Sequence, residues 1–190
     1  AMKAQAVTII PVTWEFALRE LDRVIATLLL AALRASLYEK GAAQANGWLI
    51  CFIHGEYDPI AKVFRLHVHG YAYGEMVQVV DRLRLLPNYK TQRYLRDGSP
   101  SPVYRRVQIR RKPSTSLPKQ VTYRLQSYWP SRAIIIRDDK RIRARQKQRI
   151  DEPYHSQMLL WLDQWKVSDL TLMIGLRVTK DGLIQTKRST

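Results

Sequence analysis

The chain has 190 residues, of which 46% are hydrophobic and 25% are charged, which suits one domain of moderate size with a core of its own. It carries 32 Lys and Arg against 16 Asp and Glu, a formal net charge of +16, and so large an excess favours a polyanionic partner. The single cysteine, Cys51, excludes a disulfide framework, and the longest uncharged apolar stretch, residues 24–33, is too short for a membrane span.

The first predicted element is a strand over residues 6–11, followed by a long amphipathic helix over residues 14–40 whose apolar positions are three and four apart. Residues 48–53 and 63–71 are rich in strand formers and flank the turn signal Asp58-Pro59, which predicts a β-hairpin. We then expect a helix over residues 75–86, ended by Pro87, and a polar loop over residues 88–102.

The second half of the chain begins with a strand predicted over residues 103–110. Pro118 suits the first turn of a helix that reaches about Tyr128, and a further strand is predicted over residues 133–136. The charge run KRIRARQKQR at residues 140–149 is interpreted as a basic helix or a disordered arm. A helix from Tyr154 and a hairpin over residues 170–184, turned at Lys180-Asp181-Gly182, complete the chain.

The predicted order β-α-β-β-α-β-α-β favours an α+β fold, with a central antiparallel sheet and helices packed on it in a ferredoxin-like or RRM-like arrangement. We expect a main domain over residues 1–136 and a basic linker or helix over residues 137–153. A C-terminal helix and hairpin over residues 154–190 are expected to pack on the main domain as a small extension.

Three of the four histidines, His54, His67 and His69, lie close together in the sequence. Because strand side chains alternate, His67 and His69 are expected on one face. Pairing Phe52 with His67 and His54 with Arg65 would place His54 and Glu56 on that face too, whereas a slip of one residue would turn them away. Imidazoles beside a carboxylate predict a divalent metal site for Mn²⁺ or Mg²⁺, with Zn²⁺ as an alternative.

The helix predicted from Pro118 offers a nucleophile. Lys119 precedes Tyr123 by four residues and Gln126 follows it by three, so the three side chains share a helix face, while Tyr128 points elsewhere. The alternative interpretation of Tyr123 is a packed aromatic on an amphipathic helix.

These motifs in this order resemble the HUH (His-hydrophobe-His) single-strand DNA endonucleases over residues 6–136. Departures from the family's patterns include the lack of Tyr-x-x-x-Gln at Tyr123 and of a Walker motif. They favour similarity to the rolling-circle replication initiators of plasmids, phages or mobile elements. The matching stretches are Thr8-Ile9-Ile10-Pro11 (first strand), His54-Gly55-Glu56-Tyr57-Asp58 (extra ligands), Leu66-His67-Val68-His69-Gly70 (metal) and Val121-Thr122-Tyr123-Arg124-Leu125 (tyrosine).

The resemblance implies sequence- or structure-specific nicking and joining of single-stranded DNA through a covalent 5′-phosphotyrosine intermediate, as in replication initiation or DNA mobilisation. Tyr123 would be the nucleophile and Lys119 would stabilise the phenolate or the phosphorane. His67 and His69, with His54 and Glu56, would hold the metal that orients the scissile phosphate.

Expected DNA contacts come from basic residues, with Tyr89, Tyr94 and Tyr104 as candidates for base stacking. The expected partners are single-stranded or hairpin DNA and no membrane. A homodimer or host replication proteins are left open as protein partners, and the single cysteine fits a reducing, cytoplasmic location. The basic candidates are Arg105, Arg106, Arg110, Arg111 and Lys112, and in the charge run Lys140, Arg141, Arg143, Arg145, Lys147 and Arg149.

Two other functions remain compatible with this sequence. One is a DNA-binding module of the same fold that does not nick, and the other is a ferredoxin-like RNA-processing nuclease that uses a histidine without metal. The fold alone does not separate them, because related sheets carry different chemistries.

Overall fold

A computed structural model describes residues 4–95, 98–110, 129–137, 140–144 and 146–186. The strands are β1 (Gln5–Ile9), β2 (Glu15–Ala17), β3 (Gly47–Asp58), β4 (Val63–Gly74), β5 (Val107–Ile109), β6 (Ile134–Arg137), β7 (Lys140–Arg143), β8 (Thr171–Ile174), β9 (Leu176–Thr179) and β10 (Gly182–Gln185). The α-helices are α1 (Leu18–Leu21), α2 (Ala26–Glu39), α3 (Met76–Arg82) and α4 (Tyr154–Asp163), and two 3-10 turns cover Leu83–Leu85 and Pro87–Tyr89.

One antiparallel sheet organises the fold. Its strand order is β5-β1-β4-β3-β8, and β2 also pairs with β4. β1 and β2 lie along the same edge of β4, because β1 pairs with its second half and β2 with its first. The expected α+β class with a central antiparallel sheet is therefore confirmed, whereas a specific ferredoxin-like or HUH arrangement stays a prediction.

The two faces of this sheet have different coverings. Leu49, Cys51, Leu66 and Val68 belong to the main core, which also contains buried residues of α2, α3 and α4. The alternate residues of the same strands, including Phe52 and Tyr71, form a second, smaller apolar cluster. The helices thus pack on one face, and the histidines of β3 and β4 lie on the other.

The predicted hairpin is confirmed, and its two strands are longer than expected. Its register differs from the predicted one: His54 pairs with His67, and Phe52 pairs with His69. The difference arises at the turn, where Lys62 adopts a positive φ of 53° and the last pair is Asp58 with Val63. Because the shift is two residues, an even number, each side chain keeps the predicted face.

The single helix predicted over residues 14–40 is wrong. Residues 15–17 form β2 beside β4, α1 covers only four residues, and α2 begins at Ala26. Trp14, just before β2, and Leu21 of α1 have helical spacing, yet both are buried in the main core without sharing a helix. Tertiary pairing with β4 overrides the local helical periodicity here.

Neither interpretation of the charge run is correct over residues 140–143. These residues form β7, which pairs antiparallel with β6. The main domain was expected to end at residue 136. The β6–β7 hairpin spans that position, since β6 ends at Arg137 and β7 follows it. A strand over residues 133–136 is confirmed as β6.

The C-terminal part packs on the main domain, as its contacts show. Trp161 of α4 is fully buried, and its indole N–H donates to the Val24 carbonyl at 2.8 Å. β8 joins the main sheet beside β3, and only β9 and β10 form the predicted hairpin. Among the described residues, no helix has the length and apolarity that crossing a membrane requires.

Candidate metal centre

Three imidazoles meet on the sheet face opposite the helices. His54 of β3 lies directly across from His67 of β4, and His69 follows His67 by two residues on the same face. Each of the three offers one ring nitrogen, and those atoms lie within 4.8 Å of one another. These three residues can hold a metal ion, as the sequence pattern predicts.

The orientation of His67 is fixed by the backbone. Its Nδ1 lies 3.1 Å from the carbonyl oxygen of Arg65, two residues earlier on the same strand. A carbonyl can only accept, so Nδ1–H is the donor, and in the neutral ring Nε2 carries a lone pair. A hydrogen bond of this kind typically selects the tautomer of a metal-binding histidine.

His69 is held by a neighbouring strand. β1 pairs with β4 so that Thr8 lies opposite His69, and the Thr8 hydroxyl is 2.8 Å from Nδ1 of His69. When Nδ1–H donates to this hydroxyl oxygen, Nε2 of His69 is a lone-pair donor for a metal. Thr8 is therefore a positioning residue for His69.

The spacing of the two Nε2 atoms fits a shared ion. They lie 3.1 Å apart, where His69 Nε2–H can donate to His67 Nε2 when no ion is bound, and the two rings are perpendicular. Two nitrogens bound at about 2.1 Å to one ion would be about 3.0 Å apart at a right angle and about 3.4 Å apart at a tetrahedral angle. The observed separation falls between these geometries.

His54 completes the group from β3. Its ring centroid lies 5.4 Å from that of His67 and 5.2 Å from that of His69. On its other side is the buried indole of Trp129, with ring centroids 6.4 Å apart. Trp129 fits against β3 because residue 55 is glycine, since an added Cβ there would lie 2.5 Å from the indole.

Glu56, predicted as a further ligand, is placed differently from the imidazoles. It is buried two residues beyond His54, opposite Arg65. The group of mutually close donors found among the described residues contains the three histidines and not Glu56. Among the described residues, the donors that converge within 4.8 Å are therefore imidazole nitrogens.

A charged cluster adjoins the histidines on this face. The Arg65 guanidinium is buried, and Nη2 donates to Asp58 at 3.3 Å while Nε lies 3.2 Å from Glu15. Glu15 is also 3.9 Å from Arg106. Burial lowers the pKa of Arg106, and the nearby Arg65 lowers it further, while Glu15 opposes both effects.

This cluster has two consequences for the site. Its carboxylates hold the side chain of Arg65, the residue whose carbonyl orients His67. It also leaves buried donors, because Nη1 of Arg65 and Nε of Arg106 have no hydrogen-bond partner within the described ranges. Arg106, predicted at the DNA surface, is therefore buried next to the candidate metal centre.

The other predicted DNA-binding residues fall into three groups. Arg105 and Arg110 are exposed at the β5 edge, and Lys147 and Arg149 are exposed after β7. Lys140, Arg141 and Arg143 are part of β7. Outside the described residues lie Arg111, Lys112, Arg145 and the predicted catalytic pair Lys119 and Tyr123.

The tyrosines predicted to stack on bases are not equivalent. Tyr89 is 2% exposed and its hydroxyl donates to Ser36 at 3.1 Å, so it is unsuited to stacking. Tyr94 and Tyr104 are 53% and 46% exposed. Tyr71, which follows His69 by two residues on β4, is buried in the smaller apolar cluster on the histidine face.

Sequence reasoning missed the supports of this site. Thr8 was assigned only to a strand motif, and Trp129 and the carboxylate of Glu15 had no predicted role at the site. Asp58 belonged to the stretch that resembles extra metal ligands, and its carboxylate pairs with Arg65. Their contacts depend on sheet order and on long-range packing, which local periodicity does not carry. Comparison with protein-family models, with curated proteins and with solved structures gave no match to this chain.

Proposed function

We propose that this protein nicks and rejoins single-stranded DNA, using a divalent metal at His54, His67 and His69 and Tyr123 as the nucleophile. The observation that carries the proposal is the convergence of three imidazoles on one sheet face of a chain with a net charge of +16. A metal attracts a phosphate oxygen, and the basic chain attracts the strand that contains it.

The chemistry assigned to the metal is electrostatic and geometric. An ion at this position polarises the scissile phosphate and offsets the charge that develops during in-line attack. On the same sheet face the buried guanidinium groups of Arg65 and Arg106 are accompanied by the carboxylates of Glu15 and Asp58. The attraction for an anionic strand is therefore assigned to the metal and to the net charge of +16 of the whole chain. The phenolate oxygen of Tyr123 attacks phosphorus, the 3′-oxygen leaves, and a phosphotyrosine bond replaces the phosphodiester bond.

The position of Trp129 supports Tyr123 as the nucleophile. Trp129 lies beside His54, and Tyr123 precedes it by only six residues. Six residues reach at most about 20 Å, so the Tyr123 Cα cannot be farther than that from the Trp129 Cα. This length of chain allows Tyr123 to reach the candidate metal.

The three imidazoles constrain the choice of ion. Mg²⁺ prefers oxygen ligands, whereas imidazole binds Mn²⁺ more readily and suits Zn²⁺ well. We propose Mn²⁺ rather than Mg²⁺ as the working ion, with water and substrate phosphate supplying the oxygen ligands.

The test is a denaturing gel with labelled single-stranded DNA and Mn²⁺. The wild type should form a covalent protein–DNA band, which EDTA and Tyr123→Phe should each abolish. Tyr128→Phe is the matched control and should retain the band.

An adduct that persists in Tyr123→Phe would reject the assigned nucleophile. The complete lack of an adduct with Mn²⁺, Mg²⁺ or Zn²⁺ across pooled random strands would instead support a DNA-binding module, and cleavage of RNA in EDTA would support a metal-independent ribonuclease.

A further inference from the structure

A second candidate binding site lies away from the histidines, between α3 and the edge strand β5. It is an open groove of about 620 Å³, a volume within the range of small-ligand sites. Val107 and Ile109 supply apolar lining, and both pack with the main core on the helical side of the sheet. The groove therefore opens on the face opposite the candidate metal centre.

The polar lining of the groove combines cations with an aromatic ring. Arg84 is held in place, with one nitrogen 2.6 Å from Asp81 and another donating to the Val107 carbonyl at 3.0 Å. Asp81 is the one acid among the described lining residues, and this ion pair offsets its charge. Arg105 lines the same groove and is exposed. The groove is thus suited to an anionic ligand.

Tyr104 lies near two guanidinium groups, that of Arg105 in the groove lining and that of Arg93 outside it. Its side chain is 46% exposed, and the guanidinium carbons of Arg93 and Arg105 lie 5.8 and 6.0 Å from its ring centroid. Both distances are near the outer limit of about 6 Å for cation–π contact, so each guanidinium can turn to a phosphate while remaining near the ring.

Backbone hydrogen bonds join the segments around residues 92–94 and 100–104, the second of which carries this ring. Gln92 N–H donates to the Tyr104 carbonyl at 3.2 Å, and Ser101 N–H donates to the Arg93 carbonyl at 2.7 Å. Tyr94 and Pro100 form an isolated bridge between the same two segments. These backbone contacts fix the position of the segment that carries the exposed Tyr104 ring.

We propose that this groove binds a nucleotide of single-stranded DNA, with the base stacked on Tyr104 and the flanking phosphates contacted by Arg93 and Arg105. An aromatic platform beside cations is the recurring arrangement for single strands, because every base has a face that can stack and every linkage is anionic. The choice of DNA as the ligand rests on the proposed function.

The position of the groove gives the bound strand a route to the metal. β5 is two strands away from β4 in the sheet, a distance of about 10 Å. Gln108 is exposed on β5 and shares a face and a row with Thr8 and His69. A DNA strand that leaves the groove around the β5 edge would next pass the row of Gln108, Thr8 and His69.

The test measures binding of a fluorescent oligo-dT in EDTA, where no metal-dependent cleavage can contribute. Tyr104→Leu should weaken binding by about tenfold, since loss of one stacked base costs roughly fivefold or more. Tyr104→Phe keeps the ring and should stay within about twofold of the wild type. The matched control is Tyr38→Leu, another exposed tyrosine, 44% exposed on α2, which should leave binding unchanged.

A charge-matched pair tests the phosphate contacts. Arg105→Gln should weaken binding more than Arg177→Gln, which removes the same charge from an exposed residue of β9. Photo-crosslinking with 5-iododeoxyuridine in the oligonucleotide should modify Tyr104, as located by peptide mass spectrometry.

Each outcome separates this groove from the proposed function. If the wild type binds oligo-dT but Tyr104→Leu binds as tightly as Tyr38→Leu, the groove assignment fails and the nicking proposal remains. If Tyr104 and Arg105 govern binding while no adduct forms with Mn²⁺, the groove stands and nicking fails. Tighter binding of oligo-U through the same residues would overturn the choice of DNA, and no binding of either strand would overturn both proposals.

Discussion

His67 and His69 direct their Nε2 atoms toward each other across 3.1 Å, although their rings are perpendicular. Each ring is oriented by a contact at its other nitrogen, His67 by the Arg65 carbonyl and His69 by the Thr8 hydroxyl. This arrangement preorganises a two-nitrogen donor pair, and His54 faces it from the adjacent strand. Preorganisation lowers the cost of binding an ion, because the rings need not be reoriented.

The first prediction concerns the ligands themselves. Replacing His54, His67 or His69 by alanine should each lower the affinity for Mn²⁺ and Zn²⁺ in isothermal titration by more than about tenfold, because one of three donors is lost. His155→Ala is the matched control, since His155 lies on α4 and contacts Glu152 and Arg149 instead. Equal metal affinity in all four variants would show that the ion binds elsewhere.

The second prediction concerns the positioning residue Thr8. Thr8→Val keeps the side-chain shape but removes the hydroxyl, so we expect metal affinity to fall by roughly 10- to 100-fold, as for other outer-shell partners. Thr8→Ser keeps the hydroxyl and should restore most of that affinity. A drop of the same size in both variants, with unchanged thermal stability, would contradict a hydrogen-bonding role.

The third prediction concerns Cys51. Its side chain is fully buried in the core, and burial raises the pKa of the thiol, which disfavours the reactive thiolate. Folded protein at pH 8 should therefore react with Ellman's reagent only at the rate of unfolding, and in concentrated urea the thiol should react at once. Rapid reaction of the folded protein would contradict the packing role of Cys51.

Much of the site follows from the sequence because period-two alternation is a local property. His67 and His69 were predicted on one face, and the hairpin turn at Asp58-Pro59 brought His54 to the same face even though its register was two residues off. The observed turn contains Lys62 with a positive φ, a conformation that a lysine does not signal in the sequence. Strand alternation therefore predicted the face of each ligand but not its cross-strand partner.

The remaining features depend on long-range packing. Nothing local in Thr8 indicates that β1 will pair with β4 so as to bring its hydroxyl to His69. Arg106 and Tyr89 are residue types that commonly contact DNA, yet packing buries both side chains. The residues that became β2 have helical periodicity and were diverted by pairing with β4. In each case, a tertiary contact overrode a local preference.

The fourth prediction concerns electrostatics. Binding of single-stranded DNA should weaken steeply with salt, because Lys and Arg release condensed counterions from the strand. Replacing Lys147 and Arg149 by glutamine should reduce the slope of affinity against salt by about one to two and weaken all sequences about equally. Affinity that does not change between low and moderate salt would contradict this account, and loss of nicking at saturating DNA would give the charge run a catalytic role.

The account is tested most directly by anomalous X-ray diffraction from crystals of this protein soaked in Mn²⁺. The predicted result is a single strong anomalous peak about 2.2 Å from the Nε2 atoms of His67 and His69, with a ring nitrogen of His54 also coordinated and Thr8 still bonded to Nδ1 of His69. Crystals in which the three imidazoles bind no ion at millimolar Mn²⁺ or Zn²⁺, or in which the peak lies away from them, would contradict the metal centre and, with it, the proposed chemistry.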